Sequence, residues 1–126
     1  MSNILLIEDM KSVQTSIATI LTNAGHSVTT ADNGQLGIQI FETKEFDLVI
    51  TDIMMPELDG SEVLLELVKK PKRPPLIAIS AGGGSINATE VLKFAGKFAD
   101  AVLEKPFSRN SLLDIVERLI SNPAKT

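Results

Sequence analysis

Cysteine, tryptophan and tyrosine are all missing from these 126 residues, and phenylalanine, present five times, is the only aromatic side chain. Without cysteine there is no disulfide framework and no thiolate metal site. Without Trp or Tyr a stacking platform for nucleic-acid bases is not expected. The net charge of −4 also lacks the basic face that phosphate backbones require. No apolar run approaches the roughly 20 residues needed to span a bilayer. Met1-Ser2-Asn3 lacks the basic segment of a secretory signal. The expectation is a cytoplasmic protein with no direct hold on nucleic acid or membrane.

What remains is a chain that is 44% hydrophobic, long enough for one domain with a sizeable core. Five short apolar runs predict strands at Asn3–Ile7, Ser27–Ala31, Leu48–Thr51, Leu76–Ser80 and Ala101–Leu103. The first, third, fourth and fifth are rich in Ile, Leu and Val, as strands buried on both faces are. The second, with Val28-Thr29-Thr30, suits an edge. Helical spacing separates them. Val13, Ile17, Ile20, Leu21 and Ala24 mark the first helix, closed by Gly25. Asp32-Asn33-Gly34 caps a second, with Leu36, Ile40 and Phe41 on one face. Val63, Leu64, Leu67 and Val68 mark a third, stopped before Pro71. Ile86–Lys97 is a less regular fourth. Ser108 caps a fifth, carrying Leu112, Leu113, Val116, Leu119 and Ile120. Such alternation predicts a parallel sheet with helices on both faces. The whole chain, 1–126, reads as one domain with a polar, fraying tail at 122–126.

Chemistry-bearing residues gather at the strand ends. Glu8-Asp9 follows the first strand, Asp52 the third, Ser80 ends the fourth, and Lys105 follows the fifth. An open parallel sheet brings all of these to one edge, where such sheets place their sites. If the first and third strands are neighbours, three carboxylates converge and repel. A hard divalent cation such as Mg2+ relieves that repulsion. Asp52 is then suited to attack phosphorus, with Ser80 and Lys105 screening the transferring group. Singly, each has a plainer reading: helix cap for Glu8-Asp9 or Asp52, turn residue for Ser80, solvated lysine for Lys105. His26 has no second imidazole or thiol beside it and reads as structural. Met54-Met55 reads as packing. Gly82-Gly83-Gly84 lacks the ending of a phosphate-binding loop and reads as a loop that rearranges beside Ser80.

The acidic pair Glu8-Asp9, the run from Asp52 through Pro56 to Asp59-Gly60, Ser80-Ala81 and Lys105-Pro106-Phe107 together resemble the response-regulator receiver domain of two-component signalling, and within it the single-domain chemotaxis regulators. The resemblance covers Asn3 to Ser121. It implies a flavodoxin-like (βα)5 three-layer sandwich with a parallel five-stranded sheet of order 2-1-3-4-5. It implies that Asp52 accepts a phosphoryl group from a histidine kinase or histidine phosphotransfer protein. Glu8, Asp9, Asp52 and the Met54 backbone carbonyl would hold Mg2+. Ser80 would bond the phosphoryl oxygen, Lys105 would pair with it, and the Lys105–Pro106 bond would be cis. A downstream protein partner would read the face formed by the fourth helix, fifth strand and fifth helix.

Two positions depart from the family pattern. Val102 stands where an aromatic side chain often swings inward on activation, and Phe98 stands where glycine is frequent. Competing readings are a phosphatase with an Asp nucleophile, a degenerate receiver acting only as an interaction module, a nucleotide or flavin binder, and a receiver segment of a larger hybrid kinase. The phosphatase reading lacks a general acid, because Met54 occupies the position two residues after Asp52.

Overall fold

A computed structural model describes residues 2–52, 73–80 and 99–121. The described chain runs β1 (Asn3–Ile7), α1 (Lys11–Asn23), β2 (Ser27–Ala31), α2 (Gly34–Phe41), β3 (Leu48–Asp52), β4 (Leu76–Ser80), β5 (Ala101–Glu104) and α3 (Arg109–Ser121). The third and fourth helical stretches expected from the sequence, Gly82–Gly84, Phe98 and the tail lie outside the described residues.

All four strand pairings are parallel and the order is β2-β1-β3-β4-β5. The edge strand β2 is the more polar one, and the central strands are fully buried hydrophobic runs. Alternation along each strand splits the core in two. Leu5, Ile7, Val49 and Ala78 face one side, with Ile38, Ile40, Phe41 and Val102 packed around them. Ile4, Leu6, Leu48, Ile50, Ile77 and Ile79 face the other, against Ile17 and Leu21 of α1 and Leu112 and Val116 of α3. Each such buried Leu or Ile contributes about 1.5–3 kcal/mol relative to an exposed one. The sheet is therefore a stiff base for whatever its ends carry.

Two strand boundaries and one position on α2 differ from the sequence reading. Asp52 is the last residue of β3, not the one after it, because its backbone still pairs with Ile79. Likewise β5 extends to Glu104, opposite Ser80. On α2, Ile40 and Phe41 pack on the core as read, but Leu36 is exposed and Gly34 and Gly37 are buried. A Cβ on Gly37 would stand 2.6 Å from Ile7 Cγ1. Close approach of α2 to β1 at Gly37 accompanies that apolar packing. The predicted caps are present: Asn33 Oδ1 accepts from Leu36 N at 2.8 Å, and Ser108 Oγ from Ser111 N at 3.0 Å. Gly25 ends α1 with φ +99°.

The end of the sheet where the strands begin is fastened by side chains. Asp47 Oδ2 accepts from Asn3 N at 2.8 Å. Asp100 Oδ2 accepts from Leu76 N and from Arg73, both at 2.8 Å. His26, in the turn into β2, meets Glu117 of α3 at 3.1 Å with its own side chain nearly buried. These contacts give His26 the structural role expected of it.

Candidate phosphoacceptor and metal site

At the opposite end, the register converts strand order into a site. Ile7 pairs with Thr51, so Glu8 and Asp52 leave neighbouring strands side by side. Carboxylate oxygens of Glu8, Asp9 and Asp52 all lie within 4.8 Å of one another. Glu8 is fully buried and Asp52 is 3% exposed. Lys105, just beyond β5, reaches across β4: its Nζ donates to Asp52 Oδ2 at 3.0 Å and stands 3.3 Å from Glu8 Oε1. The Lys105–Pro106 peptide is cis. The plainer reading of Lys105 as a solvated lysine gives way, since its side chain is only 21% exposed and faces two carboxylates. The capping reading of Glu8-Asp9 gives way too. Met10 holds the N-cap position of α1 and its side chain makes no capping bond, while the one backbone N–H that donates to Glu8 Oε2 among the described residues is that of Met10, at 3.2 Å.

Ser80 ends β4 at the same edge, one strand from Asp52; its side chain and the whole of Met54 lie outside the described residues.

The electrostatics follow from burial and crowding. The Glu8 carboxyl is pushed up from 4.5 to about 7. Burial is the largest cause, followed by its hydrogen bond to Asp52 and the Asp52 charge. The Met10 N–H and the Lys105 ammonium pull the other way. Burial also works against the Lys105 ammonium, but the Asp52 hydrogen bond and the two negative charges outweigh it, so its pKa is raised. Among the described residues, three clustered carboxylates and this ammonium leave two net negative charges when all are ionised. A divalent cation matches that charge. The donors are all oxygen, the preference of Mg2+. Glu8 Oε1 is buried with the Lys105 ammonium 3.3 Å away and no hydrogen bond among the described residues, an oxygen placed for a cation. The residues present therefore fit Mg2+.

One side chain that the sequence reading passed over also belongs to this neighbourhood. Gln14 is buried in the first turns of α1, and its Nε2 donates to the Glu8 carbonyl at 2.9 Å and to Asp32 Oδ1 at 3.0 Å. Lys11 pairs with the same Asp32 oxygen at 2.9 Å. Together these contacts hold the Asp32 carboxyl below its ordinary value, the Lys11 bond first and the Gln14 bond next. The available signal was a polar residue in register with Ile17 and Leu21 on an otherwise apolar stripe.

Residues 4–117 match the response regulator receiver domain, and the chain belongs to that family. It is 36% identical over 110 residues to ycf27, a probable transcriptional regulator of Cyanidium caldarium, covering 87% of this chain and 43% of that protein. The signal receiver domain of a histidine kinase from Syntrophus aciditrophicus superposes with a TM-score of 0.87 at 26% identity, covering 100% of this chain and 95% of that one. The receiver domain of the sensor histidine kinase PA1611 from Pseudomonas aeruginosa PAO1 was solved with a magnesium ion coordinated in its active site cleft. It gives a TM-score of 0.85 at 29% identity, with 96% and 98% of the two chains covered. The fold is the flavodoxin-like receiver fold, and the chain is a two-component signalling domain. It spans about half the length, or less, of the curated relatives it matches. Among the described residues no helix is long and apolar enough to cross a membrane.

Proposed function

We propose that Asp52 accepts a phosphoryl group from the phosphohistidine of a histidine kinase or histidine phosphotransfer protein, and that the phosphorylated domain is read by a downstream protein. An Asp52 carboxylate oxygen attacks phosphorus, the bond from phosphorus to the histidine nitrogen breaks, and that nitrogen takes up a proton. Glu8, Asp9 and Asp52 would hold Mg2+, with the Met54 carbonyl as a further ligand. Bound there, the cation screens negative charge on the phosphoryl oxygens. Lys105 and the Ser80 hydroxyl would meet those oxygens from the β4–β5 side. The observation that carries this reading is the Asp52 carboxylate at the end of the central strand, 3.0 Å from the Lys105 ammonium and beside two more carboxylates.

The domain acts as a switch rather than a turnover enzyme. Its chemistry is its own phosphorylation and slow hydrolysis. With Val102 half-buried beside Ala78 and no aromatic there to swing, output would pass through the fourth helical stretch, β5 and α3 by backbone rearrangement. A second reading, in which this is the receiver segment of a larger kinase, is favoured by its likeness to the receiver domains of two histidine kinases.

The test is intact mass after incubation with acetyl phosphate, with and without Mg2+, for wild type and Asp52→Asn. One added phosphoryl group that needs both Mg2+ and Asp52 is the expected result. An adduct that persists in the variant moves the acceptor elsewhere.

A further inference from the structure

Gln14 sits at i, i+3, i+7 with Ile17 and Leu21, the three buried residues of α1. An amide on a core stripe costs free energy unless its hydrogens are used. Here one goes to the Glu8 carbonyl at 2.9 Å and one to Asp32 Oδ1 at 3.0 Å, with the Ala31 carbonyl at 3.5 Å. The Glu8 carbonyl belongs to the peptide unit that joins Glu8 to Asp9. That unit is planar and rigid, so holding its oxygen fixes the direction in which the chain leaves Glu8 and the place from which Asp9 reaches inward. The rest of Glu8 is held as well: its N–H donates to the Ala31 carbonyl at 3.0 Å, and its Oε2 accepts from Met10 N at 3.2 Å. The carbonyl facing α1 is the part that Gln14 secures.

We infer that Gln14 is a positioning residue for the cation site, setting the Glu8–Asp9 peptide so that both carboxylates converge on Asp52. The inference rests on the reading that these acids hold Mg2+. The same side chain joins the site to the Asp32–Lys11 pair at the turn between β2 and α2.

Gln14→Leu removes both donors at similar volume, and Gln14→Met does so with an unbranched side chain. Mg2+ dissociation constants are to be measured by calorimetry for wild type, both variants and Val28→Ala, a packing change at the far end of the sheet. Affinity about tenfold weaker in the Gln14 variants is expected, the lower end of losses when an outer partner of a metal ligand is removed; Val28→Ala should match wild type. Wild-type affinity in a folded Gln14 variant overturns the inference and leaves the Mg2+ reading standing. No Mg2+ binding by wild type overturns both. Equal weakening in Val28→Ala, or loss of fold in both Gln14 variants, also overturns it, because Gln14 would then act through stability alone.

Discussion

The Lys105 ammonium lies 3.0 Å from Asp52 Oδ2, so the proposed phosphoacceptor already has a cationic partner before any phosphoryl group arrives. The same nitrogen is 3.3 Å from Glu8 Oε1. In the proposed reaction the ammonium stays in place and exchanges a carboxylate oxygen for a phosphoryl one.

Replacing Asp52 with asparagine should lower the Glu8 pKa. The Asp52 hydrogen bond and charge both raise it, but burial is the larger cause and remains. The value should fall from about 7 yet stay above 4.5. Carboxyl-carbon NMR titration of Glu8 measures it directly, and an unchanged midpoint would assign the whole shift to burial.

Stability without Mg2+ should depend on pH with a definite sign. Glu8 binds its proton more tightly folded than unfolded, with a pKa of about 7 against 4.5. Its contribution is therefore fully present below 4.5 and is lost as pH rises through about 7. The urea midpoint should drop across that window. Mg2+ binds the ionised form, so added Mg2+ should raise the midpoint more at the alkaline end. A midpoint that rises with pH through this window in Mg2+-free buffer contradicts the shift.

Lys105→Met keeps much of the methylene stem and removes the charge. Loss of a hydrogen bond to a charged group costs about 1.5–3 kcal/mol, and Glu8 taking up a proton would soften this. Folding should survive and the Glu8 pKa should rise further, since the ammonium lowers it in the wild type. The phosphorylated variant should lose the conformational response. Spectral changes on phosphorylation identical to wild type would remove Lys105 from the switch.

Two glycine variants separate backbone strain from crowding. Gly25→Ala meets no atom within 4 Å but must hold φ +99°, a cost of about 1–2 kcal/mol. Gly37→Ala has ordinary backbone but pushes on Ile7, the residue before Glu8. Thermal melts should show both destabilised. Only Gly37→Ala should also disturb Mg2+ binding; equal Mg2+ affinity in the two would uncouple α2 from the site.

Much of the fold was legible because four of the five strands are rich in Ile, Leu and Val and the more polar β2 suits an edge. Three strands matched residue for residue, and β3 and β5 each gained one residue from backbone pairing that no side-chain pattern reports. On α2, Ile40 and Phe41 were legible as core residues, but exposed Leu36 was misplaced because α2 approaches Ile7 of β1 at Gly37, which hydrophobic periodicity does not count. Glu8, Asp9, Asp52 and Lys105 were legible because each lies at or just beyond a strand end, and sheet order alone makes such positions neighbours. The burial of Gln14 was signalled by its register with Ile17 and Leu21, but its role was not legible: its partner at Glu8 is a main-chain carbonyl, and carbonyls leave no trace in residue identity.

The two ends of this sheet are built on opposite plans. Where the strands start, Asp47, Asp100 and the His26–Glu117 pair act as rivets. Where they finish, like charges are held together under tension. A plate riveted along one margin behaves as a cantilever: load applied at the free margin is relieved there and leaves the fixed one still. Amides at the starts of β2 and β4 should therefore serve as an internal reference whose hydrogen exchange does not change while the acid-bearing end switches.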